Sequence, residues 1–455
     1  MPSYGAAVLA AGKGTRMKSR LPKVLHRVCG REMVALVVDT VKAADLDPTV
    51  VVVPSDSLDV RDALLDRVRY AEQSQPRGSG HALLEAKSVL AGVDNVVVVY
   101  ADMPLILPET LLHMRRVHQE AGAAITILTA VSVRPDGLGR VVRSRDGSVE
   151  AIVEERDADL ETRGITEINV GAYYFKSDWL WPNLESLPPS QGGEIYLTDL
   201  IALADQQGEA VETVNPEDNS EAFGVNNRAE LARAESVLRD RLRTKWMLEG
   251  VTIQDPATVY IDAGVELGQD TILLPNTHVI RGSSIGKDCR IGPNSIVSYS
   301  KIGDKCEIIA SVIEHSTLEE GVSVGPFSHL RPGSHLERDV HIGNFAEVKN
   351  SRLGSGTKCG HFSFIGDADV GANVNIGAGT VTVNYDGRRK HRTTVGDGAF
   401  IGCDTMLIAP VTVGAGADTG AGAVVRDDVP PNSRVVGVPA RQIPKKAPSK
   451  RDETP

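Results

Sequence analysis

The sequence contains few cysteines, few aromatic residues and no long apolar run. The cysteines are Cys29, Cys289, Cys306, Cys359 and Cys403. They are odd in number and form no CxxC pair, which argues against a disulfide framework and favours a reducing cytoplasm. The apolar residues 4–11 are too few to span a bilayer, and no export-type cleavage site follows them. We therefore expect a cytoplasmic protein without a membrane-spanning or export segment.

An excess of positive charge is also absent. The 49 Lys and Arg residues are outnumbered by 60 Asp and Glu residues, which gives a net charge of −11 with neutral histidines. Such a chain has no general attraction for nucleic acid or anionic membranes, so an anionic substrate requires local basic residues. We expect neither nucleic acid nor a membrane as a partner. With 455 residues, 41% of them hydrophobic, the chain is long enough for at least two domains with sizeable cores.

Residues 1–227 alternate helix-like stretches, such as 33–44, with β-rich runs. These runs are 6–9, 50–53, 96–100 and 125–131. The alternation predicts a Rossmann-like α/β domain with a mostly parallel sheet between layers of helices. Ligands of such sheets bind at the carboxyl ends of the strands, so we expect the first functional site there.

Residues 251–440 carry a glycine-rich repeat that follows a predicted linker helix at 228–250. Of the 44 glycines, 18 lie in residues 1–250 and 26 in the shorter stretch 251–440. An aliphatic residue followed by glycine recurs there at spacings that cluster near multiples of six. The pairs are Ile285-Gly286, Ile291-Gly292, Ile302-Gly303, Val324-Gly325, Ile342-Gly343, Leu353-Gly354, Ile365-Gly366, Val370-Gly371, Ile376-Gly377, Val395-Gly396, Ile401-Gly402 and Val413-Gly414. Each hexapeptide supplies a short strand and a turn, which predicts a left-handed parallel β-helix rather than a flexible linker.

Two segments depart from this repeat. Between Gly377 and Val395, the residues Asn384-Tyr385-Asp386-Gly387 and a basic cluster interrupt the coil, which predicts a loop that protrudes at a binding surface. The Pro/Lys-rich residues 441–455 are expected to form a flexible tail.

The loop after the first predicted strand, residues 9–17, is rich in glycine and basic residues. Its backbone N–H groups are suited to a polyphosphate, although neither the P-loop nor the dinucleotide motif fits, because Gly14 follows Lys13 and Met17 replaces the third glycine. Lys23 adds a second cation, and Asp102, at the end of a buried strand, is a candidate Mg²⁺ ligand. Taken alone, the loop is equally consistent with a structural turn, and Asp102 with a helix cap.

Several of these segments, in this order, resemble the sugar-1-phosphate nucleotidylyltransferases. They are residues 9–17, Pro22-Lys23, 78–82, 100–105, 152–155, 167–171 and 224–228. With the hexapeptide repeats behind them, the chain to about residue 440 resembles the family of bifunctional enzymes that combine N-acetylglucosamine-1-phosphate uridylyltransferase and glucosamine-1-phosphate N-acetyltransferase activities. The resemblance implies that the enzyme makes UDP-N-acetylglucosamine in two steps, acetylation by acetyl-CoA and then uridylyl transfer from UTP with release of pyrophosphate.

For the uridylyltransferase site, the resemblance implies Arg16 and Lys23 as catalytic cations and Mg²⁺ on Asp102 and Asn226, with Asn227 as the alternative ligand. Ser79 stands where the family usually has threonine. The residues implied to bind UTP and N-acetylglucosamine 1-phosphate are Leu9, Ala10, Ala11, Gly12, Lys23, Gln73, Gly78, Ser79, Tyr100, Ala101, Asp102, Gly139, Glu154, Asn169 and Asn226.

For the acetyltransferase site, the resemblance rests on motifs from Arg331-Pro332-Gly333 to residues 384–387 and implies His361 as the general base on the amine. A histidine tuned near pH 7 suits the deprotonation of that amine. The residues implied to bind glucosamine 1-phosphate are Arg331, Lys349, Phe364, Asn375 and Lys390. Those implied to line the acetyl-CoA site are Ala378, Asn384, Tyr385, Cys403 and Ala421.

Three positions depart from the family pattern in this second site. Phe364 replaces a sugar-contacting tyrosine, Cys403 replaces a serine, and Gly437 stands where some members carry an arginine for the coenzyme, a role left open for Arg434 or Arg441. A lost hydroxyl contact costs about 0.5 to 1.5 kcal/mol. We expect acetyl transfer to persist with altered affinity.

Two alternatives remain beside the bifunctional enzyme. In the first, the chain is a nucleotidylyltransferase whose β-helix serves only as a trimerisation scaffold, which predicts no consumption of acetyl-CoA. In the second, the β-helix binds zinc as hexapeptide carbonic anhydrases do, a hypothesis prompted by His329, His335, His341 and His361. The family resemblance itself implies a homotrimer with acetyltransferase sites between subunits.

Overall fold

The protein is described here by a computed structural model that covers residues 2–12, 14–55, 57–133, 135–190 and 193–444. The chain divides into two compact units, Met1–Leu238 and Arg239–Pro455. Within the described residues, none of the helices has the length and apolar character needed to cross a membrane.

The first unit has an α/β fold built around a sheet with both parallel and antiparallel strands. Its strands are β1 Tyr4–Leu9, β2 Arg27–Val28, β3 Arg31–Glu32, β4 Thr49–Pro54, β5 Arg69–Gln73, β6 Asn95–Tyr100, β7 Ile125–Val131, β8 Arg140–Arg143, β9 Val149–Val153, β10 Glu167–Lys176 and β11 Val211–Val214. The main sheet has the order β11-β7-β10-β6-β1-β4-β5, while β2 and β3 pair apart from it. Strand β10 runs antiparallel to both neighbours, and the other central pairs are parallel. The predicted mostly parallel sheet is confirmed.

Helices cover both faces of this sheet. They are α1 Met33–Ala43, α2 Leu58–Leu64, α3 Ser79–Glu85, α4 Pro108–Ala121, α5 Leu160–Arg163, α6 Ser177–Ser186, α7 Asp199–Gln207 and α8 Arg228–Leu248, with 3-10 turns at Thr15–Met17, Lys23–Leu25, Leu65–Arg67 and Asn219–Ala222. Alternate residues of β1 enter different cores: Val8 packs with Val38 of α1, and Ala7 packs with Leu83 of α3. Burial on both sides explains why the central strands are continuous apolar runs.

The second unit is a left-handed parallel β-helix with three faces. Face 1 contains Thr252–Ile253, Ile272–Leu273, Arg290–Ile291, Glu307–Ile308, Ser323–Val324, His341–Asn344, Lys358–His361, Asn375–Ile376, Phe400–Ile401, Asp418–Thr419, Arg434–Val436 and Arg441–Ile443. Face 2 contains Tyr260–Ile261, His278–Ile280, Ile296–Ser298, Val312–Glu314, His329–Leu330, Glu347–Lys349, Phe364–Gly366, Val381–Val383, Met406–Ile408 and Val424–Val425. Face 3 contains Glu266–Leu267, Ser284–Ile285, Lys301–Ile302, Thr317–Leu318, His335–Leu336, Arg352–Leu353, Ala368–Val370, Thr393–Val395 and Val411–Val413.

The aliphatic-glycine pairs of the sequence form the inner wall and turns of this helix. Ile342 is fully buried in the continuous apolar core. A side chain at the following Gly343 would collide with the carbonyl oxygen of Gly360 in the next coil. The close stacking of coils therefore requires glycine at such turns, and this requirement produces the repeat visible in the sequence.

Both ends of the β-helix are covered by other backbone. At the start, Trp246 of α8 is buried with Val251 and Val259 in the apolar core. At the end, Arg441–Ile443 runs antiparallel to Arg434–Val436. The segment predicted to be a flexible tail thus begins with a strand, and residues 445–455 of that prediction lie outside the described residues.

The predicted interruption of the coil is a loop between Val381–Val383 and Thr393–Val395. The carboxylate of Asp386 shapes it by accepting the backbone N–H groups of Arg388 and Arg389, both at 2.7 Å. Its other oxygen lies 2.8 Å from Nε2 of His391. The loop therefore has its own hydrogen-bonded framework although it lies outside the repeat.

Candidate active sites

A cavity of about 570 Å³ opens at the carboxyl ends of β1 and β6 in the first unit. Its walls are Leu9, Ala11, Gly12, Lys23, Val24, Gln73, Pro76, Gly78, Ser79, Ala82, Tyr100, Asp102 and Glu194. The sequence had singled out most of these residues for UTP. Ala10 and Ala101 were also predicted, but they are buried and do not line the cavity. Lys13 of the predicted loop lies outside the described residues.

Cations and oxygen ligands converge at one end of this cavity. The ammonium group of Lys23 donates to the carboxylate of Asp102 and, at 3.1 Å, to Oδ1 of Asn226. The guanidinium of Arg16 donates to the same Oδ1 at 2.9 Å. The backbone N–H of Val225 donates to the carbonyl of Asp102 at 2.9 Å, which brings Asn226 to the end of β6. Sequence positions that lie far apart thus meet at one point.

The N-terminus of α8 decides which of the two adjacent asparagines faces the cavity. Oδ1 of Asn227 accepts the N–H groups of Ala229 and Glu230, at 3.0 and 2.9 Å, as a helix N-cap does. The carboxylate of Glu230 reaches back to the N–H of Asn226 at 2.6 Å and to the amide of Asn227 at 2.8 Å, which makes a capping box whose backbone contact is displaced by one residue. Asn227 is therefore occupied by the helix, and Asn226 is the residue directed at Lys23 and Arg16.

The oxygens of Asp102 and Asn226 form a donor set that fits Mg²⁺. Both are hard ligands of the kind that this ion takes from proteins. Nζ of Lys23 contacts both oxygens, so they face a common position that already accommodates positive charge. The residues present at this end of the cavity are thus compatible with a divalent cation.

Gly139, Glu154 and Asn169, predicted to hold the sugar phosphate, lie together beside the sheet. The N–H of Asn169 donates to the carbonyl of Gly139 at 2.9 Å. A Cβ at Gly139 would lie 3.6 Å from Oε1 of Glu154 and from Cβ of Asn169. Burial raises the pKa of Glu154, while the hydroxyl of Thr198, 3.3 Å from Oε1, opposes that rise. The three residues form one polar surface.

Ser79 and Tyr100 supply hydroxyl groups to the cavity. Oγ of Ser79 accepts the N–H of Leu197 at 3.0 Å, so serine keeps the hydroxyl that the family's threonine would provide. Burial raises the pKa of Tyr100 to about 12, so its phenol remains protonated at neutral pH. Pro76 and Glu194 also line the cavity but were missed by sequence reasoning. They stand outside the motifs that carried the resemblance, and no local signal singles them out.

In the second unit, His361 is exposed at the end of its strand on face 1. Its Nδ1 lies 2.8 Å from Oδ1 of Asn344, its register partner in the preceding coil. A ring held at Nδ1 presents Nε2 outward, which is the geometry that a general base needs. Asn344 was not predicted as a site residue, although it lies within a motif that supported the resemblance.

Three cations predicted to bind the sugar phosphate are close enough to interact. The neighbouring ammonium of Lys390 lowers the pKa of Lys349, followed by desolvation and then by the guanidinium of Arg331. Arg331 is held by Glu347, with its Nη1 2.6 Å from Oε1. Like charges brought together in this way favour binding of an anion between them.

Ala378, Cys403 and Ala421, predicted to line the acetyl-CoA site, stack at one edge of the β-helix. The N–H of Asp404 donates to the carbonyl of Ala378 at 2.7 Å, and the N–H of Gly422 donates to that of Cys403 at 2.8 Å. The pairing of Asp418 with Arg434 places Gly437 at the next position of the same edge. Arg434 itself forms an ion pair with Asp418 at 2.8 Å.

The other predicted residues of this site lie in the neighbouring coils. Asn375 lies on face 1, in the coil after His361, and Phe364 lies on face 2. Tyr385 is exposed on the inserted loop, whereas the amide of Asn384 donates to Asp367 at 2.6 Å.

The arrangement of histidines does not support a zinc site. His329, His335 and His341 occupy faces 2, 3 and 1 of one coil, so their side chains leave it in different directions. Each has a separate partner, Glu314, Glu319 and Ser323 respectively, at 2.8 to 2.9 Å. Within the part of the chain that the structure describes, no three potential ligands are grouped for a metal.

Comparison with known proteins gives matches over both units. Residues 6–201 match the family MobA-like NTP transferase domain, and residues 264–299 match the bacterial transferase hexapeptide (six repeats). The chain is 45% identical over 432 residues to Bifunctional protein GlmU of Halalkalibacterium halodurans, covering 94% of this chain and 95% of that protein. It is 46% identical over 442 residues to the protein of the same name from Geobacillus sp. (strain WCH70), covering 97% and 96%. These relatives span the cavity of the first unit, the β-helix and the inserted loop.

Proposed function

Because the chain belongs to the family of bifunctional GlmU proteins, it is an enzyme with two transferase activities, and we propose how its residues divide them. It is a glucosamine-1-phosphate N-acetyltransferase and a UDP-N-acetylglucosamine diphosphorylase. We assign uridylyl transfer to residues 1–227, acetyl transfer to residues 251–440, and the role of a linker to 228–250. The observation that carries this assignment is the convergence of two separate sets of cations, one in each unit.

In the first unit, a phosphate oxygen of N-acetylglucosamine 1-phosphate attacks the α-phosphorus of UTP in line. One P–O bond forms, another breaks, and pyrophosphate leaves, so no covalent enzyme intermediate is required. Lys23 and Arg16 neutralise the charge that develops, and the cavity walls hold the nucleotide. Gly139, Glu154 and Asn169 orient the acceptor sugar. Asp102 and Asn226 hold Mg²⁺, which when bound neutralises further charge on the triphosphate.

In the second unit, His361 removes a proton from the amine of glucosamine 1-phosphate. The amine then attacks the thioester of acetyl-CoA, an amide bond forms, and the coenzyme leaves as a thiol. Arg331, Lys349 and Lys390 hold the phosphate, while Phe364, Asn375 and Tyr385 contact the sugar. Ala378, Asn384, Tyr385, Cys403 and Ala421 line the coenzyme site, where small side chains along one edge leave room for an extended ligand.

We propose a cytoplasmic homotrimer with acetyltransferase sites between its subunits. An exposed aromatic ladder of Phe327, Phe345 and Phe362 supports the trimer, since it lies beside Asn344 and His361 and offers an apolar surface to a second copy. The cytoplasm is supported by the cysteines, since all five are thiols.

Two separate assays test the division of activities. Thiol release is measured with glucosamine 1-phosphate and acetyl-CoA, and pyrophosphate release with N-acetylglucosamine 1-phosphate, UTP and Mg²⁺. We expect His361→Ala to lower only thiol release, by about 100-fold or more, and Lys23→Ala to lower only pyrophosphate release by about 100-fold. If the wild-type protein forms pyrophosphate but no thiol, the β-helix is a scaffold and the acetyltransferase assignment is wrong.

A further inference from the structure

An ion pair between a buried arginine and a partly exposed glutamate adjoins the candidate sugar site of the first unit. The side chain of Arg140 is only 1% exposed, yet it carries a charge. Its Nη2 lies 2.7 Å from Oε2 of Glu155, and its Nη1 donates to the carbonyl oxygen of Leu138. The same Oε2 accepts the backbone N–H of Gly137 at 3.2 Å. The pair therefore ties down the glycine-containing segment that leads into β8.

Each member of the pair directly follows a residue of the candidate sugar site in the chain. Gly139 precedes Arg140, and Glu154 precedes Glu155. Strand pairing extends this link to a third residue: Arg140 is in register with Ile168, and the N–H of Asn169 donates to the carbonyl of Gly139. The three residues assigned to the sugar are thus connected through one charged contact.

The pair lies outside the nucleotide part of the site. Neither Arg140 nor Glu155 lines the cavity assigned to UTP. The pair is weak as a source of stability, because the desolvation of the buried Arg140 guanidinium offsets its attraction to Glu155. Nε of Arg140 also finds no acceptor among the described residues. A charge is thus retained at this cost beside the residues assigned to the sugar and outside the wall of the cavity assigned to UTP, which points to a role in geometry.

We propose that the Arg140–Glu155 pair is a positioning device that fixes the spacing of Gly139, Glu154 and Asn169, and thereby sets affinity for the acceptor sugar phosphate. The inference rests on the proposed function of this site. It assigns no contact with substrate to Arg140, which acts through the backbone of Leu138 and Gly139. Loss of the pair should affect the acceptor and leave the nucleotide site intact.

Steady-state kinetics of pyrophosphate release test this proposal with Arg140→Met, Arg140→Lys and Glu155→Gln. We expect Arg140→Met to raise the KM for N-acetylglucosamine 1-phosphate at least tenfold while the KM for UTP changes less than twofold. Arg140→Lys keeps an ion pair but loses the planar fork that reaches both acceptors, so we expect an intermediate KM. Arg143→Met is the matched control, because it breaks an Arg–Glu pair on the same strand, with Glu167. We expect it to leave both KM values within twofold.

Other outcomes would overturn the proposal. An unchanged KM for the sugar phosphate in folded Arg140→Met, or an equal rise in both KM values, would show that the pair has no selective role. If Arg140→Met does not fold, Glu155→Gln decides the question, because Glu155 is partly exposed and also has Arg163 within 3.9 Å. A wild-type protein that releases no pyrophosphate with either substrate varied would instead refute the proposed function itself.

Discussion

His118 is an imidazole that the fold holds in its neutral form. It is buried on α4, with Nδ1 2.9 Å from Oγ1 of Thr126 and Nε2 3.2 Å from Oδ1 of Asn95. Burial, and after it the charge of Lys176, lowers the pKa of His118 to about 4. The unfolded chain binds a proton at this residue near pH 6.5, so the free energy of unfolding should decrease as the pH falls from 6.5 towards 4.

We therefore predict that protonation of His118 in the unfolded chain lowers the free energy of unfolding by about 2 kcal/mol between pH 7.5 and pH 5. The measurement is the thermal unfolding of the full chain between pH 7.5 and 5. His118→Gln keeps a polar side chain without a titrating group, and its melting temperature should depend less steeply on pH. His113→Gln, an exposed histidine on the same helix, is the control and should behave like the wild type. Equal slopes for His118→Gln and the wild type would contradict the prediction.

Sequence motifs singled out most of the residues that line the cavity of the first unit, because its glycines and charges are adjacent in the chain. They could not choose between Asn226 and Asn227, since both are amides and the choice depends on which one caps α8. Glu194 reaches the cavity only through tertiary packing, so residue order carries no sign of it. Residue-level prediction thus reaches a cavity wall that consecutive residues form and misses residues that distant segments bring to it.

At the scale of the element, the two ends of α8 have different roles. Its first turn holds Asn226 by the capping box of Glu230, and its last turns bury Trp246 in the core of the β-helix. The apolar spacing of its sequence predicted the helix. The capping box is also visible in the sequence, as Asn227 followed three residues later by Glu230, but its effect on Asn226, the proposed metal ligand, is apparent only from the contacts.

We predict that Glu230→Ala weakens Mg²⁺-dependent binding of UTP. Without the carboxylate, the N–H of Asn226 loses its acceptor, the helix end loses about 1 kcal/mol of capping energy, and Oδ1 of Asn226 is less well directed. Equilibrium dialysis with UTP alone, without the sugar, should show a severalfold higher half-saturating Mg²⁺ concentration. Glu230→Gln keeps an acceptor and should recover most of the affinity.

Two controls separate this effect from general damage to α8. Glu249→Ala removes an ion-pair partner of Lys245 beyond the opposite end of the helix and should leave the Mg²⁺ dependence unchanged. Thiol release, which we assign to the second unit, should be equal in all three variants. A Glu230→Ala protein with wild-type Mg²⁺ dependence would mean that the capping box does not orient the ligand.

For the sheet, the sequence predicts which segments are strands but not the direction in which every neighbour runs. The buried apolar runs identified β1, β4, β6 and β7, because a strand that is buried on both faces has consecutive apolar residues. The antiparallel insertion of β10 between β6 and β7 was not predicted, since a run of apolar residues does not specify the direction of its neighbour.

At the scale of the whole molecule, the hexapeptide period specified the β-helix because each coil repeats the same local contacts. The period does not specify the exposed aromatic ladder, because the alignment of its rings depends on which corner of the coil each residue occupies. Phe327 and Phe345 stack with ring centroids 5.3 Å apart and have φ values of 62° and 57°. Bulky side chains are unfavourable in this left-handed region, so their presence there on an exposed corner requires another explanation than local folding.

Burial of the ladder by a second copy of the chain supplies that explanation. We predict that Phe327→Ser combined with Phe345→Ser converts the proposed trimer to monomers, measured by light scattering after gel filtration. Because Asn344 and His361 lie beside the ladder, thiol release should fall together with the trimer, while pyrophosphate release, which we assign to the first unit, should persist. Leu160→Ser, which changes an exposed apolar residue of the first unit, should leave mass and both activities unchanged. A monomeric double variant with full thiol release would show that one chain forms the whole acetyltransferase site.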